Sequence, residues 1–232
     1  MKLIDQIFAR YCLIPGRVCV ALFVGIGMLA AAMAPVAADT GSSHNLFIKT
    51  AVDARWFVSS RSNVASRDGV SDVFFGFADL NLGFRLSDAW SAEAGYRHAR
   101  LKLRSGWRDE YRPLLNLAWR RADAGWAVSN RHRLELRFFE GTTANDRVRY
   151  RNETRVVAPR SFAPWGLRPY LEEEFFYEFT GAGLNLNWVS VGVTKKLSNK
   201  VRFKLGYRWQ AQKFGADWDY RHVLVTGLSW LP

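Results

Sequence analysis

From Val201 to Gln212 the chain alternates without a break. Val201, Phe203, Leu205, Tyr207 and Trp209 are apolar; Arg202, Lys204, Arg208 and Gln210 between them are basic or polar, and Gly206 completes the set. Successive side chains of a strand point to opposite faces, so this segment has one oily face and one charged face. The pattern recurs through most of the chain and predicts about ten strands, at 46–58, 73–86, 90–99, 111–120, 128–140, 148–157, 168–179, 188–197, 201–212 and 221–231. Such lengths suit a tilted membrane strand, which needs about 9–11 residues.

A soluble sandwich also has one apolar face, turned into its core. Here no second set of apolar faces is available to cover the first, and Arg and Lys occupy the polar face at mid-strand. The expected fold is therefore all-β: a transmembrane antiparallel up-and-down barrel, with lipid outside and charge inside. Outward-facing residues include Leu46, Ile48, Val52, Ala54 and Trp56 on the first strand and Phe74, Leu80 and Leu82 on the second. Leu134, Leu136 and Phe138 face out on the fifth, and Leu171, Phe175 and Tyr177 on the seventh. Glu173 interrupts the last of these faces, which suggests a bulge or a rim position.

The N-terminal segment has the order of a secretory signal. Lys2, Arg10 and Arg17 precede an apolar run at 18–34, and Val36-Ala37-Ala38 offers a small-residue cleavage site. Residues 1–38 are read as a signal peptide and 39–232 as one barrel domain. Cys12 and Cys19 both precede the cleavage site, so the mature chain is expected to have no thiol nucleophile and no thiolate metal site. The formal charge is +12. In a cytoplasmic chain that would suggest nucleic acid. Behind an export signal it points instead to lipopolysaccharide phosphates and the anionic leaflet of a Gram-negative outer membrane, and nucleic acid is not an expected partner. The closing strand carries Gly227 and Trp230, like the terminal strands that the outer-membrane insertion machinery reads, although it ends Leu231-Pro232.

The connections are expected to alternate. Ser87-Asp88 and Ser198-Asn199 make tight turns, whereas 61–70, 100–110, 141–147 and 213–219 read as longer polar loops, and 161–167 is long for a periplasmic turn. An even strand count would put both termini on the periplasmic side. Residues 86–97 and 197–208 match at a constant offset: Leu86-Ser87-Asp88 with Gly95-Tyr96-Arg97 against Leu197-Ser198-Asn199 with Gly206-Tyr207-Arg208. Shared turn chemistry explains the match more simply than duplication. Trp56, Trp90, Trp119, Trp126 and Trp230 lie near strand ends, where amphipathic rings favour a membrane–water interface.

The most specific constellation is inside the barrel. Arg131, Arg133, Glu135 and Arg137 share one face, and Arg149, Arg151, Glu153 and Arg155 share a face of the next strand. Setting Arg137 opposite Arg149 makes two opposite-charge pairs, Glu135 with Arg151 and Arg133 with Glu153. Glu172, Glu174, Arg202, Lys204 and Arg208 are expected on the same lumenal surface, with Asp53, Asp79 and Glu93 on the far wall. Buried guanidinium groups must be paired, so such a lattice is what a largely filled barrel requires. It could also form a narrow conduit preferring anions. Arg100, Lys102, Arg104, Arg108 and Arg112 form a basic loop that could meet lipopolysaccharide phosphates, and it could equally be a solvated rim.

The run from Ser129 to Arg137, followed by Arg149-Tyr150-Arg151-Asn152-Glu153, resembles a family of small Gram-negative outer-membrane proteins known as domain of unknown function 2490. Arg168-Pro169-Tyr170-Leu171, Glu174-Phe175-Phe176 and His222-Val223-Leu224 extend the resemblance, which covers roughly residue 107 onward. It implies an outer-membrane barrel and transfers no catalytic residue.

No catalytic, cofactor or metal site is read from the chain. His98, His132 and His222 are expected on the lipid side, Ser129 and His132 face opposite ways, and no His-x-x-x-His spacing or phosphate-binding glycine loop occurs. The expected function is structural or envelope-related. A narrow anion-preferring channel is the alternative, and a lipid-active enzyme ranks third.

Overall fold

The computed structural model describes residues 40–67, 71–141, 146–181 and 183–231, so the expected signal peptide lies outside the described residues. Eleven strands follow in chain order: β1 (Thr40–Ala51), β2 (Trp56–Arg67), β3 (Asp72–Arg85), β4 (Trp90–Leu103), β5 (Gly106–Asp123), β6 (Trp126–Phe139), β7 (Arg147–Val157), β8 (Leu167–Glu178), β9 (Gly183–Lys196), β10 (Val201–Phe214) and β11 (Asp217–Trp230). Each pairs antiparallel with its chain neighbour. β1 closes the barrel against β11 in parallel, from Thr40 beside His222 to Ile48 beside Trp230. The backbone thus has no free sheet edge, as hydrocarbon requires.

The additional strand comes from the segment expected to be the first. Residues 46–58 do not run straight: Val52 to Arg55 form a turn, and β2 occupies most of what was expected to be a loop at 61–70. The turn is held by Asp53, whose Oδ1 accepts from the backbone N–H of Arg55 and of Trp56, each at 2.7 Å. Those bonds, from Trp56 and then Arg55, hold the carboxyl below its ordinary range. Val52 and Asp53 N–H groups both donate to Trp56 O. Ser87 and Ser198 do the same in the matched hairpins, each Oγ accepting from the two backbone N–H groups that follow. The Ser198 turn therefore has three versions, and Asp53 replaces serine in one of them.

An odd strand count places the two ends of the barrel chain at opposite rims. The turn rim carries the Asp53, Ser87 and Ser198 turns and residue 231; the other rim carries residue 40. The expected contrast of long and short connections holds at 140–146, between β6 and β7, and not elsewhere. β4 and β5 continue to a turn at Arg104-Ser105, and β10 and β11 to one at Gly215-Ala216, while the segment between β7 and β8 is long at the turn rim. Arg168 pins that segment, donating to Ala158 O at 2.9 Å and Gly125 O at 2.5 Å. Pro113 lies inside β5, and the ladder to β6 skips it because it has no N–H to give.

The strands are strongly tilted. One row of cross-strand neighbours climbs from Lys196 and Arg202 at the turn rim through Ser229, Phe47, Arg61, Asp79 and Arg97 to Arg112, near the other rim. Leu80, Leu82, Leu115, Leu134, Leu136 and Leu224 are exposed on the outer face, while Arg97, Arg133 and Glu135 are among the most buried side chains. This inversion of a soluble protein is the signature of a barrel with lipid outside. Trp56, Trp90 and Trp230 stand exposed at the turn rim, and Trp107, Phe179, Phe214 and Tyr220 at the other, so aromatic rings mark both interfaces.

Candidate functional site

Strand alternation turns Arg97 of β4, Glu110 and Arg112 of β5, Arg131, Arg133, Glu135 and Arg137 of β6, and Arg149, Arg151 and Glu153 of β7 into the lumen. Glu172, Glu174 and Glu178 of β8 meet them from the next strand. Glu135, with 0% exposure, is the hub. It accepts from Arg149 at 2.5 and 2.9 Å, from Arg151 at 2.9 Å and from Arg133 at 3.4 Å. Arg151 continues to Glu174 at 2.7 Å, Glu174 to Arg131 at 3.1 Å, and Arg131 to Glu153. On the other flank Arg97 lies 3.9 Å from Glu135 and donates to Asp79 at 2.5 Å. A second chain joins Arg112 to Glu110 at 2.6 Å, Glu110 to Arg137 at 2.5 Å, and Arg137 to Glu178 at 2.5 Å.

The register of β6 on β7 is not the expected one. Arg131 faces Glu153 and Glu135 faces Arg149, while Arg133 faces Arg151 and Arg137 faces Arg147. Both registers contain two opposite-charge pairs, so pair counting between two strands could not separate them. The third and fourth strands settle it: Glu174 on β8 and Glu110 on β5 take the arginines left over.

Several other expectations are corrected. Arg112 is not in a basic loop; it is buried in the lumen on Glu110. Arg108 lies over the Phe139 ring, at 4.7 Å. Arg100 pairs with Asp109 at 2.9 Å and Lys102 with Asp72 at 2.8 Å, both outside near the rim opposite the turns, and Arg104 is exposed there in a turn. Arg202 forms no ion pair among the described residues; it sits at the turn rim among Arg120, Arg155 and Arg160. Asp53 is a turn residue and not a lumenal one. Lys204 and Arg208 do reach an acid, Glu172, at 2.8 and 3.7 Å, and Arg155 approaches it at 3.7 Å. Glu93 accepts from Asn116 at 2.8 Å. Glu178 and Glu110 were missed, although Glu178 follows the same alternation as Glu172 and Glu174.

The lattice packs the β4–β8 wall and leaves a lumenal cavity of about 470 Å³ beside it. Its wall includes Arg61, Arg131, Arg155, Arg208, Trp188 and Arg221. Nε and Nη1 of Arg131, Nε of Arg155 and Nε1 of Trp188 are buried donors without a hydrogen-bond partner. Arg208 lies 4.4 Å from the Trp188 ring and Lys204 4.6 Å from the Tyr170 ring, so aromatic faces hold part of the surplus positive charge. Among the described residues no group of three or more His, Cys, Asp or Glu side chains could hold a metal ion.

A closed barrel with an apolar exterior and an ionic interior is an integral outer-membrane β-barrel. The chain belongs to the family described as protein of unknown function (DUF2490), whose model matches residues 41–221. No curated protein matches it. Among solved structures it is similar to the NanC porin in a rhombohedral crystal form, at 12% identity and a TM-score of 0.47, covering 75% of this chain and 87% of that one.

Proposed function

We propose that this barrel is a narrow, anion-preferring conduit. The observation that carries the reading is the cavity wall, where arginine and lysine side chains outnumber the acids Glu110, Glu153, Glu172 and Glu174. An anion in the lumen would balance this surplus, since charge-assisted bonds to guanidinium are the strong ones. The lattice centred on Glu135 then serves as wall, fixing side chains that would otherwise fill the bore. Exposed Arg100, Lys102 and Arg104 are suited to lipopolysaccharide phosphates, because the surface ion pairs of Arg100 and Lys102 contribute little and are readily exchanged. Export by the signal at 1–38 is the route this location requires.

A second reading, a closed barrel with a structural role, is favoured by the complete burial of Arg133 and Glu135. Planar-bilayer recording separates the two. The conduit gives small steps whose reversal potential follows chloride under a salt gradient, and inorganic phosphate suppresses them. A bilayer that stays sealed with the native chain and with Arg133→Ala or Arg151→Ala would rule out the conduit.

A further inference from the structure

The outer face of the barrel carries a polar group where lipid should lie. Glu173 faces outward midway along β8, between Leu171 and Phe175, and among the described residues its carboxylate accepts one hydrogen bond, from Asn187 Nδ2 at 3.1 Å. It is not at a rim, and the β-bulge of β8 lies beyond it, at Phe176/Tyr177. Two strands away, His132 faces outward midway along β6. Between them, on β7, stand Asn152 and Thr154, and Asn130 joins this ladder, donating to Thr154 Oγ1 at 2.8 Å and Asn152 Oδ1 at 3.0 Å.

One ring nitrogen of His132 is occupied by its neighbours and the other is not. Asn152 Nδ2, which can only donate, lies 3.2 Å from His132 Nδ1, and Tyr150 OH lies 2.6 Å from the same nitrogen. Both contacts are made to Nδ1, and Nε2 has no partner among the described residues. The barrel thus presents an unpartnered imidazole nitrogen on β6 and a carboxylate on β8, flanking one strand.

They also stand at one height. The hydrogen-bonded row of His132 runs through Asn152 to Phe175. With a tilt near 40°, such a row climbs by about one residue per strand. The β8 outward residue level with His132 is then Glu173, one pleat below Phe175. A two-fold axis along the membrane normal, passing β7 between Asn152 and Thr154, exchanges β6 and β8. It would bring the His132 of each copy to the Glu173 of the other.

We infer that the barrel forms a two-fold dimer through β6, β7 and β8, closed by two reciprocal His132–Glu173 hydrogen bonds. The contact is isologous, so it closes on itself and does not propagate. It also removes from lipid a carboxylate that a lone barrel would expose at mid-depth.

Because Cys12 and Cys19 precede the barrel, a single new cysteine reports the axis. Thr154→Cys, oxidised in native membranes, should give a disulfide-linked band of two copies. Leu80→Cys, outward on β3 and far from this face, should not. Light scattering of the detergent-solubilised native chain should give twice the chain mass, and Glu173→Leu should halve it while heat-modifiable mobility is retained. Cross-linking at Thr154 no stronger than at Leu80, cross-linking to a different protein, a native mass of one chain, or an unchanged dimer in Glu173→Leu would each overturn the proposal.

Discussion

Arg133 and Arg151 lie directly opposite each other on β6 and β7, and both reach Glu135, at 3.4 and 2.9 Å. Like charges face to face are destabilising unless a counter-charge intervenes. Here it does, and Arg149 leans on the same carboxylate. Glu135→Ala would leave these guanidinium groups buried without their hub, a loss of about 3–5 kcal/mol by the measure of broken buried ion pairs. The urea midpoint of the reconstituted barrel should fall accordingly. An unchanged midpoint would mean that water reaches this wall.

The glycines of the matched hairpins do the same work in two places. A Cβ on Gly95 would overlap Asn81 Oδ1, and a Cβ on Gly206 would overlap Tyr170 OH. Each glycine admits a lumenal side chain from the adjacent wall, so the repeat records a packing solution as well as a turn. Gly95→Ala and Gly206→Ala should each cost about 1–3 kcal/mol as overpacked sites. Gly76→Ala on β3, whose added Cβ would make only an ordinary contact with Asn63 O at 3.5 Å, would serve as the comparison for a strand glycine without crowding. Equal losses at all three positions would remove the packing argument.

Parallel closure of β1 on β11 makes a topological prediction that an even-stranded barrel would not make. Epitopes inserted before Thr40 and after Leu231 should lie on opposite sides of the membrane. On intact cells, protease should therefore remove one and spare the other. Equal accessibility of both would require a different closure, with β1 displaced from the seam.

The sequence exposed the outer face and the lumenal face of β3 to β11 because alternation there joins a strongly apolar set to a strongly charged one. It failed at β2, where Ser60 and Ser62 interrupt the outward set of Trp56, Val58 and Val64 at mid-strand, so the apolar face is broken. The signal that could have recovered the strand was local. Val52-Asp53-Ala54-Arg55-Trp56 has the spacing of Leu86-Ser87-Asp88-Ala89-Trp90, with a short oxygen-bearing side chain in second place. The ion lattice was legible as a set of residues and illegible as a set of pairs. Glu135 serves arginines on its own strand and on β7, and a register inferred from two strands omits the acids that β5 and β8 contribute. His132 and Glu173 were each readable as facing lipid, but only strand tilt places them level.

The Asp53 turn differs from its serine counterparts by carrying a charge, and this makes it sensitive to acid. Its carboxyl is held below the usual range by the N–H groups of Trp56 and Arg55. A group with a depressed folded-state pKa contributes stability that is present above its unfolded value, about 3.9, and is lost as pH falls through the lower folded value. Asp53→Ser keeps the two backbone bonds, as Ser87 and Ser198 show, and removes the titration. The melting midpoint of the native chain relative to Asp53→Ser should therefore be constant above about pH 5 and decline as pH is lowered below about 4. A constant difference across that range would mean that the charge of Asp53 adds nothing to what the hydroxyl provides in this turn.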